Sequence, residues 1–103
     1  MRVLIHVRQY LSSEGFEALP SILEEHRKLV SEFEGFVSLK RLYPHEPASE
    51  GEFHLALDFE SEELLMKWRS SPQHVEIAER YKPYWTRDPD VDFYNVENLE
   101  DAR

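Results

Sequence analysis

The sequence lacks cysteine, any run of basic residues and any long apolar segment. The absence of cysteine excludes disulfide bonds, thiolate metal sites and cysteine nucleophiles. No apolar run approaches the roughly 20 residues that a membrane-spanning helix needs. The N-terminal stretch from Met1 to His6 becomes polar too early for a signal peptide. We therefore expect a cytoplasmic protein that does not enter a membrane.

Positive charge is scarce in this chain, with 12 Lys and Arg against 21 Asp and Glu and a formal net charge of −9. A phosphate backbone would meet net repulsion, so nucleic acid and anionic membranes are not expected partners. The sequence also lacks a Gly-rich phosphate loop, a G-x-S-x-G elbow and an HExxH motif. Nucleotide binding, serine hydrolysis and zinc proteolysis therefore have no support.

The first third of the chain predicts a strand followed by a helix. Residues 2–9 alternate between apolar and polar, which is the period of a half-buried strand. After a loop over 10–15, apolar residues recur at three- and four-residue steps over 16–33, which predicts an amphipathic helix. Because an interior proline costs about 3 kcal/mol, we predict that the helix begins near Leu19 with Pro20 in its first turn.

The rest of the chain predicts a hairpin, a broken helical region and a last strand. Strands over 36–43 and 53–59 flank the breaker-rich segment 44–51, which is the pattern of a hairpin. The remaining predicted elements are a short helix capped by Ser61, a second helix from Ser71-Pro72 to about Tyr84, and a strand from Val91 to Val96.

This order of elements predicts an α+β fold of the ferredoxin-like type, β-α-β-β-α-β, with a four-stranded antiparallel sheet and helices on one side. At 103 residues the chain fits one domain, which we assign to 1–97, followed by an acidic C-terminal tail over 98–103. The other side of the sheet is left uncovered, and a second copy of the chain is the simplest cover, so we expect a homodimer. The residues expected on this uncovered side are Leu4, His6, Arg8, His54, Ala56 and Asp58.

The break between the two later helices carries a distinctive step, from Trp68 through Ser71 and Pro72 to His74. This W-x-x-S-P-x-H step, with the order of elements over residues 1 to about 97, resembles the antibiotic biosynthesis monooxygenase superfamily of dimeric α+β barrels. The resemblance implies a small aromatic substrate and oxidation without metal or flavin, so no cofactor is expected. Other members of the superfamily break down haem or have no assigned reaction.

The haem-degrading branch of the superfamily places an asparagine on the first strand, a tryptophan in the second helical region and a haem-ligating histidine further along it. Only the tryptophan is matched here, by Trp68. Val7 stands where the resemblance puts the asparagine, at the ligand site, and Ala78 stands where it puts the histidine. His74 lies one helical turn before Ala78 and is the alternative ligand.

Trp68 and His74 are the leading site candidates. Trp68 is either a wall on which a flat ligand stacks or an ordinary core residue. His74 lies in the first turn of its helix, where the dipole disfavours the imidazolium, so it is either a neutral catalytic base or a surface or capping histidine.

Three further histidines have open interpretations. His26 lies in the apolar stripe of the first helix, so it is either a core histidine with a hydrogen-bond partner or a residue that contacts the ligand. In the second case Tyr81 is a further polar contact in the same cavity. His6 and His54, with Asp58, provide donors that suit a divalent metal, but a polar network at the dimer interface is the favoured interpretation.

The leading hypothesis from the sequence is a cofactor-independent monooxygenase acting on a small planar aromatic, such as a phenol, quinol or polyketide. In this hypothesis His74 is the base, Trp68 the stacking wall, and His26, Tyr81 and Val7 contact the ligand. The alternatives are a non-catalytic dimer that binds a small hydrophobic molecule, and a haem-binding or haem-degrading protein.

Overall fold

The computed structural model describes residues 1–46 and 49–102. Its elements follow the order β-α-β-β-α-β with a broken second helix, so the ferredoxin-like fold is confirmed. The elements are β1 (Arg2–Leu11), α1 (Ser13–Ser31), β2 (Phe36–Leu42), β3 (Glu52–Phe59), α2 (Glu62–Arg69), α3 (Pro72–Tyr81), a 3₁₀ turn (Lys82–Tyr84) and β4 (Trp85–Val96).

The four strands form one antiparallel sheet in the order β2-β3-β1-β4. In the register, Val7 on β1 is paired with Leu55 on β3 and with Val91 on β4. The strand β4 is therefore an edge strand, and it packs mainly against β1 rather than against the helices.

The core lies between one face of this sheet and the three helices. Trp68, Phe53 and Phe59 are the largest side chains that are completely buried there. One cluster gathers around Trp68 and the start of β1, and a second gathers around Phe53 and Tyr81. The alternation of β1 and β3 brings their apolar residues to this face, which is why the other face carries the polar ones.

The prediction that the first helix begins near Leu19 is wrong. The strand β1 continues to Leu11, and α1 begins at Ser13, where the Ser12 Oγ accepts a hydrogen bond from the Gly15 N–H at 3.2 Å. Pro20 lies inside α1 and is exposed. The proline ring therefore does not have to fit into the packed core, although the helix still loses one backbone hydrogen bond there.

The helical segment ends near Tyr84 as predicted, with α3 to Tyr81 followed by the 3₁₀ turn over Lys82–Tyr84. The predicted start of the last strand is wrong, because β4 begins at Trp85 rather than at Val91. The first half of β4 pairs with the end of β1, where the register shifts twice around Tyr10. An edge strand with bulges tolerates Pro89, because only one side of it must supply hydrogen bonds.

The connection between α1 and β2 turns at Gly35, which has a φ of +86°. Glycine adopts this left-handed conformation without the steric cost that other residues meet. The helix itself ends earlier than predicted, at Ser31. The predicted loop over 44–51 includes Pro47 and Ala48, and the predicted tail includes Arg103; these three residues lie outside the described residues.

The face of the sheet away from the helices, here called the open face, carries the residues predicted for it. The register pairs Leu4 with Asp58 and His6 with Ala56, and Arg8 with His54. A depression of about 320 Å³ lies on this face; its lining consists of Leu4, His6, Ser38, Lys40, Leu42, Ala56, Asp58 and Tyr94. No helix in the described part of the chain is long and apolar enough to cross a bilayer.

Candidate functional site

The break between α2 and α3 is built around Ser71. Its Oγ accepts a hydrogen bond from the His74 N–H at 3.1 Å and donates one to the Trp68 carbonyl oxygen at 2.6 Å. The same hydroxyl therefore closes α2 and caps α3, and Pro72 occupies the first turn, where no donor is needed. The predicted stop and restart of the helix are confirmed.

This break brings Trp68 and His74 together. In one continuous helix, residues six positions apart would point about 120° away from each other, since each residue turns the helix by about 100°. In the structure their ring centroids are 5.5 Å apart and the rings meet edge to face, at 79°. Both side chains therefore lie on the same side of the helical layer.

Both rings border a space between the helices and the sheet. The larger part, here called the helix-side cavity, has a volume of about 170 Å³; its lining consists of Ile5, Val7, Gln9, His26, Leu55, Arg69, His74, Ile77, Ala78, Tyr81, Trp85, Pro89 and Val91. The smaller part, here called the inner cavity, has a volume of about 50 Å³ and shares His26, Arg69 and His74 with the first while adding Trp68.

The residues predicted for the site all border this space, but Trp68 borders a different part of it from the others. His74, His26, Tyr81 and Val7 line the helix-side cavity. Trp68 reaches only the inner cavity and is 1% exposed. It stacks against the His26 ring with a centroid distance of 6.1 Å, so it is a core residue and a cavity wall at once.

His26 and Tyr81 form a buried polar pair between α1 and α3. The Nδ1 atom of His26 lies 3.0 Å from the Tyr81 hydroxyl oxygen. Burial, and after it the nearby His74, lowers the pKa of His26 to about 4, while burial raises the pKa of the Tyr81 phenol. Both groups are therefore neutral at pH 7. A buried His26 was expected to need a hydrogen-bond partner, and Tyr81 is this partner.

His74 is a half-buried imidazole in the first turn of α3. Burial lowers its pKa below the ordinary value of 6.5, and the positive charge of Arg69 lowers it further, against an opposing backbone contact with Arg69. A neutral imidazole at pH 7 can accept a proton from a bound molecule. Geometry and charge state are therefore compatible with a general base.

Three lining residues with hydrogen-bonding side chains, Gln9, Arg69 and Trp85, were not identified from the sequence. The indole N–H of Trp85 donates a hydrogen bond to the Gln9 side-chain oxygen at 2.7 Å, and both residues line the helix-side cavity. Gln9 continues the alternation of Val3, Ile5 and Val7, so the same pattern could have identified it. Trp85 reaches the cavity because β4 starts early, and Arg69 reaches it because of the angle between α2 and α3. Neither the strand start nor this angle has a local signal in the sequence.

The histidines of the open face form a separate polar network. The Nε2 atom of His6 lies 2.9 Å from Nδ1 of His54, and Nε2 of His54 lies 3.2 Å from a carboxylate oxygen of Glu52. Asp58 instead faces Arg2 and Ser38. Within residues 1–46 and 49–102, no group of three or more His, Asp and Glu is placed to hold a metal ion.

The sequence matches no protein-family model and no curated protein. Solved structures, however, share its fold across nearly the whole chain. Rv0793 from Mycobacterium tuberculosis has 21% identity and a TM-score of 0.76, with 100% of each chain covered. SnoaB from Streptomyces nogalater, a cofactor-independent oxygenase, has 12% identity and a TM-score of 0.75, with 95% of each chain covered.

A "putative antibiotic biosynthesis monooxygenase" from Deinococcus radiodurans has 13% identity and a TM-score of 0.80, with 98% of each chain covered. The chain has the antibiotic biosynthesis monooxygenase fold. This confirms the fold that the W-x-x-S-P-x-H step implied. At these identities the likeness concerns the backbone, so the chemistry of this chain must be argued from its own side chains.

Within this fold, Val7 and Ala78 do not supply the haem contacts that the resemblance implied at their positions, whereas His74, the alternative ligand, does line the cavity. Val7 and Ala78 both line the helix-side cavity but carry no atom that could ligate iron or donate a hydrogen bond. The cavity, at about 170 Å³, is also below the range of about 300–1,000 Å³ usual for larger ligands, and a macrocycle would have to displace the core around Trp68.

Proposed function

We propose that this protein is a cofactor-independent monooxygenase that oxidises a small phenol-type aromatic in the helix-side cavity. The observation that supports it most directly is the position of His74: a neutral imidazole faces a largely apolar cavity of about 170 Å³, beside the neutral pair of His26 and Tyr81. The fold is shared with SnoaB, which is itself a cofactor-independent oxygenase.

The size of the cavity limits the substrate. An engineered apolar cavity of about 150 Å³ binds benzene. The helix-side cavity, at about 170 Å³, therefore accommodates one aromatic ring with short substituents, and the inner cavity adds about 50 Å³ toward Trp68. A multi-ring polyketide requires the edge strand β4 or α3 to move, so a one-ring phenol is the substrate class that we propose.

In the proposed reaction His74 removes the phenolic proton, and the resulting phenolate is the reductant. The phenolate transfers electrons to dioxygen, and a ring carbon that carries hydrogen forms a bond to oxygen. Cleavage of the O–O bond leaves one oxygen atom as the second carbonyl of a quinone, and the other leaves as water with the two hydrogens of the substrate. The protein orients the ring, excludes bulk water and holds the transferred proton.

Oxygen consumption tests the proposal. A panel of one-ring phenols should include substrates that cause oxygen uptake with the formation of the corresponding quinone. His74→Ala should lower kcat at least about 100-fold, the usual contribution of a general base. Glu76→Ala, an exposed residue on the same helix, is the matched control and should leave kcat unchanged.

The pH profile provides a second criterion. Because the pKa of His74 is lowered, the imidazole is neutral around pH 7 and kcat/KM should not change with pH there. It should fall only when the pH decreases below the ordinary histidine value of 6.5. Quinone formation that is unaffected by His74→Ala would show that His74 is not the base.

A non-catalytic binding protein is the second candidate function. The observation that favours it is that no carboxylate lines the two cavities in the described part of the chain, so His74 has no acidic partner to orient it. This candidate predicts saturable binding of aromatic molecules without any oxygen uptake. An oxygen-electrode measurement on a ligand already shown to bind separates the two candidates.

We also propose that the active form is a homodimer in which two open faces cover each other. Asp58 on this face is 5% exposed even in the single chain, and its Oδ1 atom has no hydrogen-bond partner among the described residues. Leu42 and Tyr94 line the depression of the open face and remain 41% and 53% exposed. A second copy would bury these apolar side chains and can supply a donor to Asp58.

A further inference from the structure

Arg69 occupies a distinctive position at the end of α2. It lines both the helix-side cavity and the inner cavity. Its guanidinium carbon lies 5.1 Å from the centroid of the Phe93 ring on β4, and Phe93 is 45% exposed. Arg69 therefore reaches from the helical layer toward the edge strand, where one side of the cavity approaches solvent.

The charge of Arg69 is not balanced by a carboxylate. Arg2, Arg27, Arg80 and Arg87 each form an ion pair, whereas Arg69 forms none within the part of the chain that the structure describes. No Asp or Glu lines either cavity among the described residues. The two cavities therefore border one permanent positive charge and no negative one.

A half-buried cation beside an apolar cavity is stabilised when an anion binds next to it. Arginine suits this role because its planar guanidinium can donate two parallel hydrogen bonds to one oxyanion. Packing over the Phe93 ring involves the face of the guanidinium and does not use the N–H donors at its edge. An aromatic ring in the helix-side cavity with a charged oxygen at Arg69 would place this oxygen close to His74 as well.

We propose that Arg69 is a specificity-determining residue that favours an anionic oxygen on a bound aromatic ring, either a carboxylate that the ligand carries or the phenolate that forms in the cavity, over neutral aromatic molecules of the same size. This inference rests on the proposed function, because it assigns the ligand class of the same cavity. It goes beyond that function, because it predicts a charge preference in binding that exists whether or not any oxidation follows.

Binding of two matched one-ring probes tests this assignment. Benzoate and benzyl alcohol differ little in size, but only benzoate is charged at pH 7. By isothermal titration calorimetry, the wild-type protein should bind benzoate more tightly than benzyl alcohol by about tenfold or more, as expected for a charge-assisted hydrogen bond. Arg69→Gln should remove this preference by weakening benzoate binding alone.

Two further variants serve as controls. Arg27→Gln changes an exposed arginine on α1 that pairs with Glu24, and it should leave the preference unchanged. Arg69→Lys keeps the charge without the planar fork and should keep part of the preference. The comparison of the two probes on the wild-type protein requires no variant to fold.

The possible outcomes separate the two proposals. If the wild-type protein binds both probes equally well, or if Arg69→Gln weakens both equally, the charge assignment is wrong while the cavity remains a ligand site. If the wild-type protein binds neither probe, the cavity is not a site for small aromatics, and the proposed function is overturned together with the inference.

Discussion

His26 and Tyr81 share a buried hydrogen bond of 3.0 Å between Nδ1 and the phenolic oxygen, and this bond joins α1 to α3 across the roof of the helix-side cavity. The two residues are 55 positions apart in the sequence. On the surface, Arg80 and Glu25 form an ion pair between the same two helices. Two polar contacts therefore join α1 to α3 above the cavity, a buried hydrogen bond and an ion pair at the surface.

Removal of the Tyr81 hydroxyl should destabilise the protein. Tyr81→Phe leaves the buried His26 Nδ1 without a partner, at an expected cost of about 1–3 kcal/mol in the free energy of unfolding. Urea denaturation measures this cost. Tyr84→Phe, a half-buried tyrosine three residues further along the chain, is the matched control. An equal effect of the two substitutions would mean that the bond to His26 contributes no stability.

Acid should destabilise the protein through His26. Its pKa is about 4 in the folded chain against 6.5 in an unfolded one. Between these values the unfolded chain binds a proton that the folded chain does not, so stability is complete above pH 6.5 and decreases by roughly 3 kcal/mol as the pH falls toward 4.

A comparison with His26→Gln isolates this effect. The pKa values of His6 and His74 are also lowered by burial, and both residues contribute in the same direction, but they are present in both proteins. Unfolding free energies measured at about pH 7 and about pH 4.5 should show a smaller loss for His26→Gln than for the wild type. Identical losses would assign the acid sensitivity to other groups.

Haem should not bind in the helix-side cavity. Val7 and Ala78 provide no ligand there, and the cavity is too small for the macrocycle. Titration of haem into the protein should therefore leave the Soret band where it lies for free haem. A shifted band that disappears in His74→Ala would show that His74 binds the iron and would return the haem alternative to consideration.

The homodimer should depend on the open face. Leu42 on the open face and Met66 on α2 are both 41% exposed, so they form a matched pair for substitution. In sedimentation equilibrium the wild type should have twice the chain mass of 12.3 kDa. Leu42→Glu should shift this mass toward the single chain, and Met66→Glu should not. A wild-type protein that sediments as one chain would remove the dimer proposal.

Most of the fold could be predicted because its signals are local. The alternation of β1, the hairpin and the N-cap serines Ser61 and Ser71 each specify their element within a few residues. Pro20 misled the prediction because its cost depends on whether it faces solvent, which the sequence around it does not determine. The early start of β4 was missed because its pairing partner, the end of β1, is distant in the sequence.

The site could be predicted only in part, for the same physical reason. His26, His74 and Tyr81 were identifiable from their helical positions, and all three line one cavity. The cavity volume, the burial of Trp68 and the approach of Arg69 to Phe93 depend on how α2 and α3 pack on the sheet. Such packing distances are set by many distant contacts, so no short motif encodes them.

The serine-proline junction gives the two helices separate N-caps, Ser61 for α2 and Ser71 for α3. The Ser71 hydroxyl nevertheless bonds to both helices, so it fixes the direction in which α3 leaves α2 and with it the position of the His74 ring beside Trp68. Loss of this one hydroxyl would therefore change the walls of both cavities at once.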